Sequence, residues 1–329
     1  MPEFPFISII IPVYNEEEFL KHCLAAVFEL NYPKDKYEVI VVDNGSCDNT
    51  QSIAKSFNVK LLSLPSLTIS AVRNFGAKNS AGELLAFLDA DCVPTKDWLN
   101  FAAKTVLENN CATGAPYEVP KSAGWISNAW FCNQASGLNE IKSINGGNLI
   151  IPKTIFHSVN GFDEKLKTGE DAELCARIAK NHKVLANGEL KVYHLGIPYT
   201  VMDFLRREIW HGLGAFGTFQ HNLLDKPLLG TIAFMVLTLI SIAGIVNIFI
   251  NKSFYLLISG LIGTMLLLTL TVLQKKSIIR SAQHAAQLFV LYFLYYLGRS
   301  ISLFCLIGLI KAPRARKKTL HHDFNSGLL

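Results

Sequence analysis

The chain has 329 residues, half of them hydrophobic, and 31 Lys and Arg against 26 Asp and Glu give a formal net charge of +5. That is too apolar for one ordinary soluble domain, and no nucleic acid polymer is expected among the partners. The seven cysteines (23, 47, 92, 111, 132, 175, 305) are odd in number, scattered, and without a C-x-x-C pair. They exclude a disulfide framework and a zinc pattern, and read as reduced thiols of a cytosolic domain.

The N-terminus has no basic leader or small-residue cleavage site and is read as leading into a first strand rather than a signal peptide. Ser8 to Glu16 is an apolar strand ending in Pro12-Val13-Tyr14-Asn15-Glu16, and Glu17 to Phe28 follows with helical spacing. The pattern recurs: strand Tyr37 to Val42, the turn Asp43-Asn44-Gly45-Ser46, helix Asn49 to Phe57, strand Val59 to Leu64, helix Ile69 to Asn79 carrying Arg73, and strand Leu84 to Leu88. Continuously apolar strands alternating with helices predict an α/β fold with a mostly parallel sheet, covered on both faces, whose ligands sit outside the carboxyl ends of the strands. Glu16, Asp43, Asp89 and Asp91 all fall at such ends. In Asp89-Ala90-Asp91, two carboxylates one residue apart project to the same side, the hard oxygen pair suited to Mg2+ or Mn2+. Together with Arg73 these acids describe a pocket for a nucleoside diphosphate and its metal. Neither G-x-G-x-x-G nor G-x-x-x-x-G-K-[ST] is present, which argues against a dinucleotide enzyme and a P-loop NTPase.

Further along, Trp125, Trp130 and Phe131 either stack on an acceptor sugar or pack a loop; the acceptor side is favoured. Glu170, Asp171 and Glu173 open a helix from Ala172 to Lys180, where acids also suit the positive end of the helix dipole. Phe204 to Gly212, with Arg206, Arg207 and Trp210, reads as an amphipathic helix at a membrane surface. Leu228 to Ile250 and Phe254 to Leu273 contain no charged side chain and predict a membrane hairpin turned at Asn251-Lys252-Ser253. Lys275, Lys276 and Arg280, and a C-terminal cluster of Lys311, Arg314, Arg316, Lys317 and Lys318, place both ends of the third apolar run, Gln287 to Ile310, in the cytosol. With Gly298-Arg299-Ser300 at its middle, that run is expected to be interfacial or re-entrant and broken near Gly298, a plain span being the alternative.

Six motifs in this order resemble the signatures of family 2 glycosyltransferases of the GT-A fold: Ile9 to Glu16, Val41 to Ser46, Ala71 to Gly76, Leu88 to Asp91, Asn145 to Leu149, and Val159 to Glu164 followed by Gly169 to Leu174. The resemblance implies transfer of a sugar from a nucleoside-diphosphate sugar with inversion. It implies Asp43 and Arg73 at the base, Pro12, Tyr14 and Glu16 along the pocket wall, and Asp89 near ribose and metal. Asp91 is implied as metal ligand with His194 as a further one, Gly147 and Asn148 beside the donor sugar, and Asp171 as general base next to Glu170. Arg206, Arg207 and Trp210 would lie near a gating segment, although the Gln-x-x-Arg-Trp form of processive members is absent. The expected layout is a cytosolic GT-A domain over 1–200, an interfacial helix and linker over 201–226, a membrane region over 227–311 and a basic cytosolic tail over 312–329. The protein would be multi-pass in the cell (inner) membrane. The expected acceptor is a lipid-linked saccharide of surface polysaccharide synthesis. A polyprenyl phosphate is the alternative within the class, and a non-catalytic nucleotide-sugar-binding membrane scaffold the alternative outside it.

Overall fold

The computed structural model describes residues 4–65, 67–131, 137–166, 168–215 and 226–306. The C-terminal basic cluster, the tail over 312–329 and the linker residues 216–225 lie outside them. Two compact units are present, residues 4–123 with 137–197, and residues 124–131 with 198–215 and 226–306. In chain order the elements are β1 (Ile7–Val13), α1 (Leu20–Phe28), β2 (Tyr37–Asp43), α2 (Thr50–Lys55), β3 (Lys60–Ser63), α3 (Ile69–Lys78), β4 (Leu84–Leu88), β5 (Cys92–Pro94), α4 (Trp98–Asn109) and β6 (Ala112–Gly114). They continue with α5 (Trp125–Trp130), β7 (Leu138–Glu140), β8 (Asn148–Pro152), α6 (Lys153–Ser158), α7 (Glu170–Ile178), β9 (Val184–Asn187), β10 (Val192–His194), α8 (Val201–Ala215), α9 (Lys226–Asn251), α10 (Tyr255–Leu273) and α11 (Ala282–Leu306).

The first unit is built on an eight-stranded sheet of order β3-β2-β1-β4-β8-β6-β9-β7. Its first four strands are parallel, as their apolar runs predict, but β8 enters antiparallel between β4 and β6, so the sheet is mixed. That reversal matters for function. It sets Asn148 opposite Leu88, which carries the loop before β8 to the carboxyl end of β4, where Asp89 begins. Alternation along β1 sends Ile7, Ile9, Ile11 and Val13 into one core with α1, α2 and α4, and Ile10 into a second with α3, α6 and α7. Each fully buried isoleucine contributes about 2 kcal/mol, so the sheet is a stiff platform for the loops at its edge. Helix α1 starts at Leu20 rather than Glu17. Residues 17–19 form a turn instead, after Asn15 adopts a left-handed φ of 55° and is clamped by Ser46 and Cys47.

In the second unit α9, α10 and α11 are each long and apolar enough to cross a membrane. The hairpin of α9 and α10 turns at Lys252 as expected, and Gly260 lets α10 approach so closely that a side chain there would strike Ser241 and the backbone of α9. Helix α11 corrects the sequence expectation: it begins at Ala282 and runs unbroken through Gly298. The absent side chain of Gly298 admits Glu208 of α8, and Arg299 reaches the same carboxylate at 3.4 Å while lying 5.0 Å over the Tyr295 ring. The charge that seemed to demand a break is therefore ion-paired. Phe204 packs with Leu291, Glu208 meets Gly298 and Arg299, and Gly212 meets Ser302, so α8 and α11 run side by side in parallel.

His211 of α8 is affected by this arrangement, because burial, followed by the charges of Arg207 and Arg299, pushes its pKa down to about 3 from 6.5. An unfolded chain takes up that proton first, so the fold loses stability as pH falls through the window between those values. His211→Gln is expected to flatten the decline in melting temperature between about pH 7 and about pH 5. An unchanged slope in detergent-solubilised protein would assign that decline to other groups.

Candidate active site

The loops at the carboxyl ends of β1, β2 and β4 meet the loop before β8 and the first turn of α7. Asp43 ends β2 fully buried. Its carboxylate accepts hydrogen bonds from the backbone N–H groups of Gly45 and Ser46 at 3.2 Å and from the Gln51 carboxamide at 2.8 Å. Pro12 is buried in β1, Tyr14 is 58% exposed beyond it, and the Glu16 N–H donates to Thr50 Oγ1 at 2.8 Å. These residues line one edge, as the sequence places them.

Arg73 is placed differently. It is buried on α3 and does not bond Asp43; one guanidinium nitrogen bonds Asp89 Oδ1 at 2.8 Å and the other Glu170 Oε1 at 2.7 Å. Its Nε is buried with no hydrogen-bond partner, and the Phe162 ring lies 5.4 Å away. A planar fork presents separate nitrogens to two carboxylates in a fixed geometry, which the single ammonium of a lysine does not. The adjacent Asn74 clasps Phe162 through both its backbone groups and so fixes the Asn160-Gly161 turn that leads towards α7.

Asp171 stands in the first turn of α7, half-buried, with Oδ2 accepting from the Gly146 N–H at 3.1 Å and Oδ1 from the Ala172 N–H at 2.7 Å. Gly146 and Gly147 must be glycine for contact reasons. A Cβ on Gly146 would press on the Arg73 guanidinium, and one on Gly147 would overlap the Asp89 carboxylate and the Tyr117 hydroxyl. Asn148, expected beside the donor sugar, turns inward. Its carboxamide accepts from Trp98 Nε1 at 2.9 Å and donates to the carbonyls of Ala115 and Leu190, knotting α4 to β8.

Asp91 is 2% exposed, and its Oδ2 lies 3.2 Å from His194 Nε2. His194 is set opposite Cys92 by the pairing of β10 with β5, which puts both side chains on one face. Carboxylate, thiol and imidazole donor atoms of Asp91, Cys92 and His194 lie within 4.8 Å of one another. Tyr117 stacks on the His194 ring at 4.7 Å and donates its hydroxyl to Asp89 Oδ2 at 3.2 Å. Burial, then the Asp89 charge, raises the Tyr117 pKa, so the phenol remains a donor. Sequence reasoning missed Tyr117 and Cys92, and no local pattern marks either.

The donor set fits a divalent cation. His194 Nδ1 is buried without a hydrogen-bond partner, Asp89 and Glu170 share the one guanidinium of Arg73, and Asp91 faces His194, so the carboxylates outnumber the Arg73 charge in a way that a cation would offset. Arg73 bonds one oxygen of Asp89 and Tyr117 the other, which leaves each oxygen a further lone pair towards a metal beside Asp91.

The remaining residues singled out in the sequence belong to the second unit. Trp130 is packed against Phe204, Tyr292 and Tyr295, so it serves the helix core. Trp125 is 44% exposed and Trp210 49%. Arg206 lies 4.0 Å from Asp203, whereas Arg207 pairs with Glu208 at 3.0 Å and covers the Phe131 ring.

Comparison with known proteins fits this geometry. A family model described as glycosyl transferase family 2 matches residues 8–157, and one described as the N-terminal domain of galactosyltransferase matches residues 130–194. Glycosyltransferase AglE of Haloferax volcanii is 48% identical over 108 residues, 31% of this chain and 36% of that protein, so the match spans about a third of that relative. A Methanococcus voltae protein named dolichyl N-acetyl-alpha-D-glucosaminyl phosphate 3-beta-D-2,3-diacetamido-2,3-dideoxy-beta-D-glucuronosyltransferase is 27% identical over 236 residues, 63% of this chain and 72% of that one. Among solved structures, the mannosyltransferase PcManGT from Pyrobaculum calidifontis, in complex with GDP-Man and Mn2+, aligns with a TM-score of 0.61 at 17% identity, covering 93% of this chain and 88% of that one. That likeness establishes a shared GT-A fold.

Proposed function

The chain belongs, through residues 8–157, to glycosyl transferase family 2, and on that premise we propose that it is an inverting glycosyltransferase moving a sugar from a nucleoside-diphosphate sugar to a lipid-linked saccharide at a membrane. The observation that carries this reading is one unbroken chain of contacts: Asp171 on Gly146, Glu170 on Arg73, Arg73 on Asp89, Asp89 on Tyr117, and Tyr117 on His194 beside Asp91. It joins a half-buried carboxylate suited to proton removal with a donor set suited to a diphosphate's metal.

Asp171 takes the proton of the acceptor hydroxyl as that oxygen bonds to the anomeric carbon. The bond from that carbon to the diphosphate oxygen breaks on the opposite face, and the nucleoside diphosphate leaves with the electron pair. Attack opposite the leaving group inverts the centre, so an α-linked donor gives a β-linked product. Asp91 and His194, with Cys92 adjacent, would hold the divalent metal, Mg2+ or Mn2+, which when bound neutralises charge on the departing diphosphate. Arg73 fixes the distance between the two ends, and Gly147, having no side chain, lets Asp89 and Tyr117 meet over the loop before β8. Asp43 and the loop from Tyr14 to Glu16 form the base end.

Membrane placement follows from charge. Lys275, Lys276 and Arg280 occupy the α10–α11 connection, and no acid occurs between Asp225 and Asp323. By the positive-inside rule this connection is cytosolic, and the catalytic domain with it. Helices α9 and α10 cross the cell membrane as a hairpin, while α11, unbroken and apolar, runs beside the amphipathic α8 with Arg299 on Glu208. The dolichyl-linked acceptor in the name of the M. voltae relative supports a lipid-linked acceptor.

The test is a donor screen of the full chain in membranes with Mn2+ or Mg2+, scored by release of nucleoside diphosphate. Turnover with one donor and a β-linked product is expected; no release with any donor and any lipid extract overturns the reading. Asp91→Asn and His194→Ala are each expected to raise the Mn2+ concentration for half-maximal activity by about 10- to 100-fold. Equilibrium dialysis of the metal checks this without turnover.

A further inference from the structure

The second unit holds a cavity between α5 and the start of α11, lined by Trp125, Asn128, Arg280, Gln283, His284 and Gln287 among others. We infer that it binds the sugar-phosphate headgroup of a membrane-anchored acceptor, an assignment that rests on the lipid-linked acceptor proposed above and locates it.

Helical spacing builds the site. Positions 125 and 128 present one stripe of α5, positions 283, 284 and 287 present a facing stripe on the first two turns of α11, and Arg280 stands two residues before that helix. His284 forms the floor: it is buried, its Nδ1 accepts from the Arg280 backbone N–H at 3.2 Å, and its Nε2 lies 3.1 Å from the Ala129 carbonyl. The first bond fixes the tautomer, so Nε2 carries the proton and donates across to α5. The cavity is thus held in shape by a buried hydrogen bond between its own two sides, from His284 of α11 to the Ala129 carbonyl of α5.

The walls are chemically specific. Trp125 offers an exposed indole face, an apolar plate of the size of a sugar ring. Neither Gln283 nor Gln287 makes a hydrogen bond to a described residue, and each carboxamide offers a donor and an acceptor, the pair that a hydroxyl needs. Arg280 adds a guanidinium suited to phosphate, and Lys275 and Lys276 raise the local positive potential with no acid in the connection to offset it. A stacking plate, two amides and a cationic rim select a ligand that is hydroxyl-rich and anionic. Bare lipid phosphate would leave the plate and the amides unused.

The experiment uses the full chain in nanodiscs and three probes: polyprenyl diphosphate-linked N-acetylglucosamine, free N-acetylglucosamine 1-phosphate, and polyprenyl phosphate without sugar. Affinity is read by thermophoresis for the wild type and for Gln283→Ala/Gln287→Ala, which leaves the His284 floor intact. The double variant is expected to weaken both sugar probes by about tenfold, the scale of two lost hydrogen bonds, while leaving the sugar-free lipid unchanged. Tighter binding of the lipid-linked probe than of the free one identifies the membrane source; equal binding assigns the cavity to soluble sugar phosphates and overturns the membrane assignment. Unchanged sugar affinity in the variant, or no preference of the wild type for sugar-bearing over sugar-free probes, overturns the site. Release of nucleoside diphosphate in the donor screen with lipid extract, measured on the same samples, separates the two readings. Its absence alongside intact, variant-sensitive sugar binding would remove the transferase reading and keep the site. Its presence with variant-insensitive binding would do the reverse.

Discussion

Asp171→Asn is expected to lower turnover by about 10²- to 10⁴-fold while leaving donor affinity within about threefold, because a positioned base contributes on that scale. The substitution removes the proton acceptor at the cost of one local hydrogen bond. Asparagine's single oxygen can replace Oδ2 and accept the Gly146 N–H at 3.1 Å, which keeps the tie to the loop before β8, while its NH2 takes the place of Oδ1 and loses the bond from the Ala172 N–H. It cannot take up a proton from a hydroxyl. A rival account gives Asp171 only the work of an acid in a helix's first turn, where the helix dipole favours a negative charge by about 0.3–1 kcal/mol. On that account the variant would melt slightly lower and turn over normally. Steady-state rates with the donor found in the screen, set beside a thermal melt, distinguish the two; turnover within about threefold of wild type would remove Asp171 as base.

Much of the site was legible because its chemistry sits at strand ends that hydrophobic runs mark out. The strand Leu84–Leu88 was located to the residue, and Asp43, Asp89 and Asp91 lie where alternating strands and helices put them. Strands of three residues, such as β6 and β7, carry no period to detect, and so the antiparallel entry of β8 and the mixed sheet could not be read. Tyr117 and Cys92 become site residues only when β10 folds back on β5 and brings His194 to them. Partners explain the two misplacements. The resemblance implies Arg73 at the base with Asp43, yet Glu170, far along the chain, completes its fork with Asp89. Gly298-Arg299 looked like a break because a charge within an apolar run was weighed without Glu208 of α8.

Arg73→Met should be the most destabilising single change in the first unit's site. The guanidinium holds Asp89 at 2.8 Å and Glu170 at 2.7 Å, and removing it leaves two carboxylates facing each other across an apolar side chain. Losing one partner of a buried ion pair costs about 3–5 kcal/mol. Asp89's side chain is 30% exposed and regains water, whereas that of Glu170, at 11%, does not, so the cost falls chiefly on Glu170 and about 3 kcal/mol is expected. For a unit of this size that lowers the melting temperature by roughly 6–12 °C. Arg73→Lys should fall between, since one ammonium cannot span both carboxylates as the planar fork does. Adding Glu170→Gln to Arg73→Met removes the stranded charge and is expected to return part of the lost stability, a coupling that a double-mutant cycle reads directly. Turnover should not recover with stability, because the link from Asp89 to the helix bearing Asp171 stays cut. A melt within about 2 °C of wild type for Arg73→Met, or no recovery in the double variant, would show that the three side chains do not act as one unit.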